Sequence, residues 1–171
     1  MFLQNLFRHW KYKKMIRGSS LFILEELENI INDAINRLEK GGRIKNPHHK
    51  EALKFESTAF VFWLFLRSNT FPSLVHKLIL DEMHNQYFLN LKKHGYDRNS
   101  RQAVCDDFNL RYKIYNKFAD DTDDFVRIGT NFARFVSERS KTDFDAMEIM
   151  IPCELIEPTT QKINEFREVI N

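Results

Sequence analysis

The chain has 171 residues, 43% of them hydrophobic and 29% charged, which is enough to bury a domain-sized core without disulfides or a structural metal and too apolar for a disordered chain. Twenty-six basic and 24 acidic residues give a formal charge of +2, which excludes the strongly basic class that holds nucleic acid through its overall field. Five Gly and four Pro are little punctuation for this length, so long helices are expected, and sixteen Phe predict an aromatic core. The patterns below predict an all-α, single-domain bundle of six or seven helices organised around a central helical hairpin at about residues 50–95. Cys105 and Cys153 are far apart and form no C-x-x-C pair, and no early segment has the pattern of a secretory signal. The expectation is a cytoplasmic protein with free thiols, with peripheral membrane or organelle targeting as alternatives.

Residues 1–17 have a character of their own. Phe2, Leu3, Leu6, Phe7 and Trp10 recur at helical spacing, while Arg8, Lys11, Lys13, Lys14 and Arg17 supply five positive charges before Glu25, the first acid. This predicts a basic amphipathic N-terminal helix, able to dock on an acidic partner or an anionic membrane through Phe2, Phe7, Trp10, Lys11 and Lys14. The plainer alternative is a first helix laid on the bundle with its lysines in water. Residues 21–40 trace a clean stripe of Leu24, Leu27, Ile31, Ala34, Ile35 and Leu38, with Ser19 or Ser20 placed to cap its start and Gly41-Gly42 its end.

The hairpin follows. Pro47 opens its first arm, which contains the longest unbroken apolar run, Ala59-Phe60-Val61-Phe62-Trp63-Leu64-Phe65-Leu66. A helix turning every 3.6 residues makes such a run apolar on every face, so it needs neighbours all round. It is much shorter than the roughly 18 residues that suggest a bilayer span. Asn69-Thr70-Phe71-Pro72 reads as the turn, and Lys92-Lys93-His94-Gly95 as the end of the second arm, with cations in the last turn and a glycine after it.

Residues 97–119 read as a helix with an aromatic stripe of Phe108, Tyr112, Tyr115 and Phe118. Arg111, Lys113 and Lys117 interleave with it, as in some single-strand binders, but the helical spacing favours core packing and makes nucleic acid an unlikely partner. The acidic run at residues 120–124 fits no calcium loop, because the positions that need Gly and Glu hold Phe125 and Asn131, or Val126 and Phe132 in the next register. It reads as a charged helix start capped by Thr122. Phe125, Ile128, Phe132, Phe135 and Val136 mark the apolar side of the next helix, where Gly129 permits close helix contact. Residues 142–171 read as less regular: a short helix over 143–151, with 148–151 as the one candidate strand, a connector bounded by Pro152 and Pro158, and a last helix over 160–170.

Chemistry has little foothold in these patterns. Asp81 and His84 are spaced i, i+3 on the second arm, and Glu56 on the first arm can face them, giving a minor divalent-metal alternative. The Glu-x-x-His pairs of di-iron and di-manganese bundles are missing. There is no G-x-S-x-G elbow, catalytic cysteine motif or glycine-rich phosphate loop. No family is recognised. The leading expectation is a non-enzymatic helical protein-interaction module that binds another protein or itself, with no cofactor. Its rivals are a peripheral membrane or apolar-ligand binding protein and a metal-dependent helical-bundle enzyme using Glu56, Asp81 and His84.

Overall fold

A computed structural model describes the backbone of residues 2–68, 73–119 and 125–170 and the side chains of residues 12–68, 74–119 and 125–168. Among the described residues six α-helices and one short 3-10 helix follow one another: α1 (Phe2–Lys40), α2 (Pro47–Arg67), α3 (Ser73–Lys93), α4 (Arg98–Phe118), α5 (Phe125–Ser140), the 3-10 turn (Ala146–Met150) and α6 (Ile151–Ile170). No strand occurs among the described residues, so the fold is the expected all-α bundle, and residues 148–151 belong to the 3-10 turn and the start of α6.

The centre is narrower than a hairpin. It is α2 alone, which packs most extensively on α5, then on α6, α1 and α4, and least on α3. Phe60, Val61, Phe62, Trp63 and Phe65 are all buried, as a run apolar on every face requires. Its aromatic rings meet those of α3, α4 and α5 edge-on. Phe60 meets Tyr115 at 5.5 Å and Phe132 at 6.3 Å, and Phe62 meets Tyr87 and Phe108 at 5.8 Å. The second arm, α3, lies mainly on α1.

Local chemistry explains most helix ends. Asn46 accepts a 2.8 Å hydrogen bond from the His49 amide and Pro47 follows it at the first helical position, the pairing that suits a helix start. Asp97 caps α4 through the Ser100 amide at 2.7 Å. Gly42 (φ 69°) and Gly95 (φ 88°) take the left-handed conformation that closes α1 and α3, with Arg43 N–H donating to Leu38 O and Tyr96 N–H to Leu91 O. The turn at residues 69–72 and the Thr122 cap lie outside the described residues.

Two expected interruptions do not occur. Residues 2–40 form one helix, with no break at Ser19-Ser20. The Ser20 hydroxyl does not cap a new helix: it is buried, donates back to Ile16 O at 2.8 Å, and lies 3.3 Å from Ile79 O on α3. Residues 151–170 are likewise one helix that runs through Pro158. A proline inside a helix costs about 3 kcal/mol. Against that, Ile151, Leu155, Thr159, Ile163 and Phe166 form a buried stripe at spacings of four, four, four and three, which only an unbroken helix keeps in register.

Gly129 on α5 is the most closely packed of the glycines. A Cβ there would lie 2.2 Å from the Ile149 carbonyl oxygen and 2.7 Å from the Ile149 Cγ2, so the 3-10 turn sits directly on the glycine. Gly129→Ala is therefore expected to lower stability by about 1–3 kcal/mol in denaturant titration despite the better helix propensity of alanine. An unchanged midpoint would mean that the 3-10 turn yields without cost.

Candidate functional site

The most concentrated set of buried polar groups lies between α2, α4 and α5. Glu56 faces inward from α2 and is fully buried. Arg111 of α4 grips it in a two-pronged pair, Nε to Oε2 at 3.0 Å and Nη2 to Oε1 at 2.8 Å. Arg139 of α5 adds a longer contact from Nε to Oε1 at 3.4 Å. Asp107 completes the set by accepting from Arg111 Nη1 at 3.2 Å and from Arg139 Nη2. Two carboxylates and two guanidiniums thus cancel in charge. The Phe135 ring lies 4.2 Å from the Arg111 guanidinium and the Phe55 ring 3.6 Å from that of Arg139.

Burial pushes the Glu56 carboxyl above the ordinary range while Arg111, and less so Arg139, pull it down. Burial also works against the charge on Arg111, but Glu56 outweighs it and that pKa lies above its ordinary value. Both Glu56 oxygens are committed to guanidiniums, so this cluster is a clamp joining three helices. The signal for it was present in the sequence: Arg111 sits three residues after Phe108 and four before Tyr115, on the buried stripe itself.

The three residues of the metal alternative do not converge. Asp81 is exposed on α3. His84 is enclosed by aromatic rings, 5.1 Å from Phe62 and 6.2 Å from Phe108. Its Nδ1 is 2.9 Å from Leu80 O, a pure acceptor, so Nδ1 carries the proton and Nε2 accepts from the Tyr112 hydroxyl at 2.9 Å. Burial lowers the His84 pKa and raises that of Tyr112. Among the described residues no group of three or more His, Cys, Asp and Glu is arranged to hold a metal ion.

A second buried pair was not foreseen. His49 of α2 accepts the Lys45 backbone N–H at Nδ1 (3.1 Å), so its ring proton is on Nε2, which donates to Glu148 Oε1 at 2.7 Å. This bond ties the α1–α2 loop and the start of α2 to the 3-10 turn. Glu148 Oε2 is buried with no hydrogen-bond partner among the described residues, beside a cavity of about 10 Å³, room for about one water. His48 and His49 are adjacent histidines just after Pro47, and nothing in the local pattern announces the distant Glu148.

Two further surfaces bear on binding. An apolar pocket of about 250 Å³ is lined by Trp63, Leu64, Phe118, Phe125, Ile128 and Ile156, with the Trp63 indole N–H donating to Asn116 at 2.8 Å. The other surface is the first half of α1. Phe2, Phe7, Trp10 and Lys11 lie on its helical backbone, but their side chains are outside the described residues. Lys14 is exposed, as are Tyr12, Lys13 and Met15, and Ile16 is the first described side chain of α1 to enter the core. No helix among the described residues is long and apolar enough to cross a membrane.

The clamp and the His49–Glu148 pair respond differently to change. Arg111→Ala leaves Glu56 buried with only its weaker partner and is expected to cost about 3–5 kcal/mol, whereas the joint change Glu56→Leu with Arg111→Met restores much of that loss in denaturant titration. Full loss in the joint variant would show the charges themselves to be required. Burial, opposed mainly by His49, raises the Glu148 pKa. The folded chain then holds the proton more tightly than the unfolded chain, so stability falls as pH rises from the ordinary carboxyl range through the folded pKa. Glu148→Gln is expected to reduce that fall as pH rises above the ordinary carboxyl range. An identical pH slope in the two proteins would contradict the assignment.

No protein-family model matches the chain, and no curated protein or solved structure matches it either.

Proposed function

We propose that the chain is a non-enzymatic helical interaction module and that α1 is the surface through which it holds another protein. One observation carries this reading. At 39 residues α1 is roughly 58 Å long, about twice the length of the helices it packs on, and its consecutive residues Tyr12, Lys13, Lys14 and Met15 are all exposed. Four adjacent residues span every side of a helix, so exposure there is not confined to one face of α1. Helices owe most of their stability in proteins to tertiary packing, which makes such an exposed stretch a natural place for a partner to add to it. Met15 (48% exposed) and Tyr12 offer apolar contact, and Lys13, Lys14 and Arg17 favour an acidic surface.

The apolar-ligand alternative has weaker support. The pocket beside Trp63 holds about 250 Å³, below the roughly 300–1,000 Å³ of small-molecule sites. Both oxygens of Glu56 are taken up by guanidiniums, which leaves that carboxylate no free acceptor for a reaction.

The test is photo-crosslinking in the cell that expresses the full chain, with a benzophenone side chain at position 15 and a control at the exposed Asn109 of α4. The expected result is a discrete adduct with a polypeptide at position 15 and none at 109. No polypeptide adduct at 15, or the same adducts at both positions, would sink the proposal. A lipid adduct alone would favour the membrane-surface alternative instead.

A further inference from the structure

The charges along α1 are segregated. Arg8, Lys11, Lys13, Lys14 and Arg17 come first, with no acid among them. Glu25, Glu26, Glu28 and Asp33 follow, with no base between Arg17 and Arg37. Between the two blocks lie Leu21 and Phe22, which are 45% and 55% exposed although they are large and apolar. Gly18 is also exposed, and a Cβ there would meet nothing within 4 Å.

These features share one face. At about 100° per residue, Lys14, Met15, Gly18, Phe22 and Glu25 fall within an arc of about 100°, opposite the buried stripe of Ile16, Ile23, Leu27 and Ile31. Phe22 touches α6 edge-on through Phe166, at 5.0 Å, and keeps its outer side in solvent. The bundle therefore leaves an exposed strip that runs from basic through apolar to acidic, with a glycine notch next to its aromatic knob.

We propose that this strip binds a second copy of the same chain, with the two α1 helices antiparallel and crossing near residue 20. This deepens the interaction reading above and rests on it. Only the antiparallel direction sets the basic block of each copy against the acidic block of the other, since a parallel pair would set like against like. A two-fold axis near residue 20 places Phe22 of one copy over Gly18 of the other, Met15 beside the apolar stem of Glu25, and Lys14 within reach of the Glu25 carboxylate, each contact occurring twice. Glycine at the crossing lets the helix backbones approach closely, and the monomer has no use for it, because nothing packs on Gly18.

The experiment is sedimentation equilibrium of the full-length chain across protein and salt concentration. The expected result is a monomer–dimer equilibrium that weakens by about tenfold or more between low salt and 1 M salt, where screening shortens to about 3 Å. Lys14→Glu and Glu25→Lys should each weaken self-association by about tenfold, while their equimolar mixture forms a heterodimer, because both cross-contacts are then attractive. Gly18→Gln should remain folded, with a helical signal and melting temperature no lower than the parent, and be monomeric. A parent chain that stays monomeric at low salt, single variants that dimerise like the parent, or a mixture that fails to rescue would each overturn self-pairing. If the parent is monomeric while position 15 still crosslinks to a different polypeptide, self-pairing fails and the interaction reading survives.

Discussion

The fold depends on one constraint, that α2 is apolar on all sides. Amphipathic helices can rest on a single neighbour, but a helix carrying Phe60, Val61, Phe62, Trp63 and Phe65 at consecutive and near-consecutive positions must be wrapped. The other five helices are arranged to do this. Within that wrapping Glu56 is an anomaly, a charge on a surface that otherwise excludes charge. The Arg111 and Arg139 guanidiniums are the groups that make it tolerable, and they hold α4 and α5 at fixed height against α2. A hydrophobic residue in its place would bury as well but would leave the register of three helices less defined.

How much of this was legible in the sequence depended on the range of the interaction. Helix class, the central position of the apolar run, the glycine ends of α1 and α3 and the aromatic stripe of α4 are all local patterns, and all are found in the structure. Helix interruption was misjudged twice for the same reason. Ser19-Ser20 and Pro158 are local signals against helix, and they were overruled by stripes of buried residues on either side that remain in phase only if the helix continues. Tertiary packing exceeded a local penalty in both places. The hairpin was also given too much weight, because adjacency in sequence suggested that α3 shares the centre with α2. In fact α5 and α6, far along the chain, are its main neighbours.

The polar sites divide in the same way. Glu56, Asp81 and His84 were grouped by helical spacing and by an assumed facing of the two arms. That spacing left open which residue turns inward, and only Glu56 and His84 do, towards different partners. Arg111 was visible as a charge on a core stripe and was read as lying between the aromatics instead of among them. The His49–Glu148 contact spans 99 residues and joins a loop-like dipeptide to an irregular segment, so no periodicity marks it. Charge and amphipathicity set residues 1–17 apart in the sequence, but that residues 2–40 are one continuous helix emerged only in three dimensions.

The dependence of α2 on distant helices has a consequence for the chain as it is made. Its main neighbours, α5 and α6, end at Ser140 and Ile170, some 70 to 100 residues beyond the end of α2 at Arg67. At about 5–20 residues per second of synthesis, the apolar run waits roughly 5–20 s between its own emergence and that of its last covering helix. Throughout that interval the most hydrophobic segment of the protein lacks at least one of the helices that cover it. Nascent chains therefore pass through a stage in which the future core is their stickiest surface, and helper proteins that shield such segments on the ribosome would find their binding site in α2.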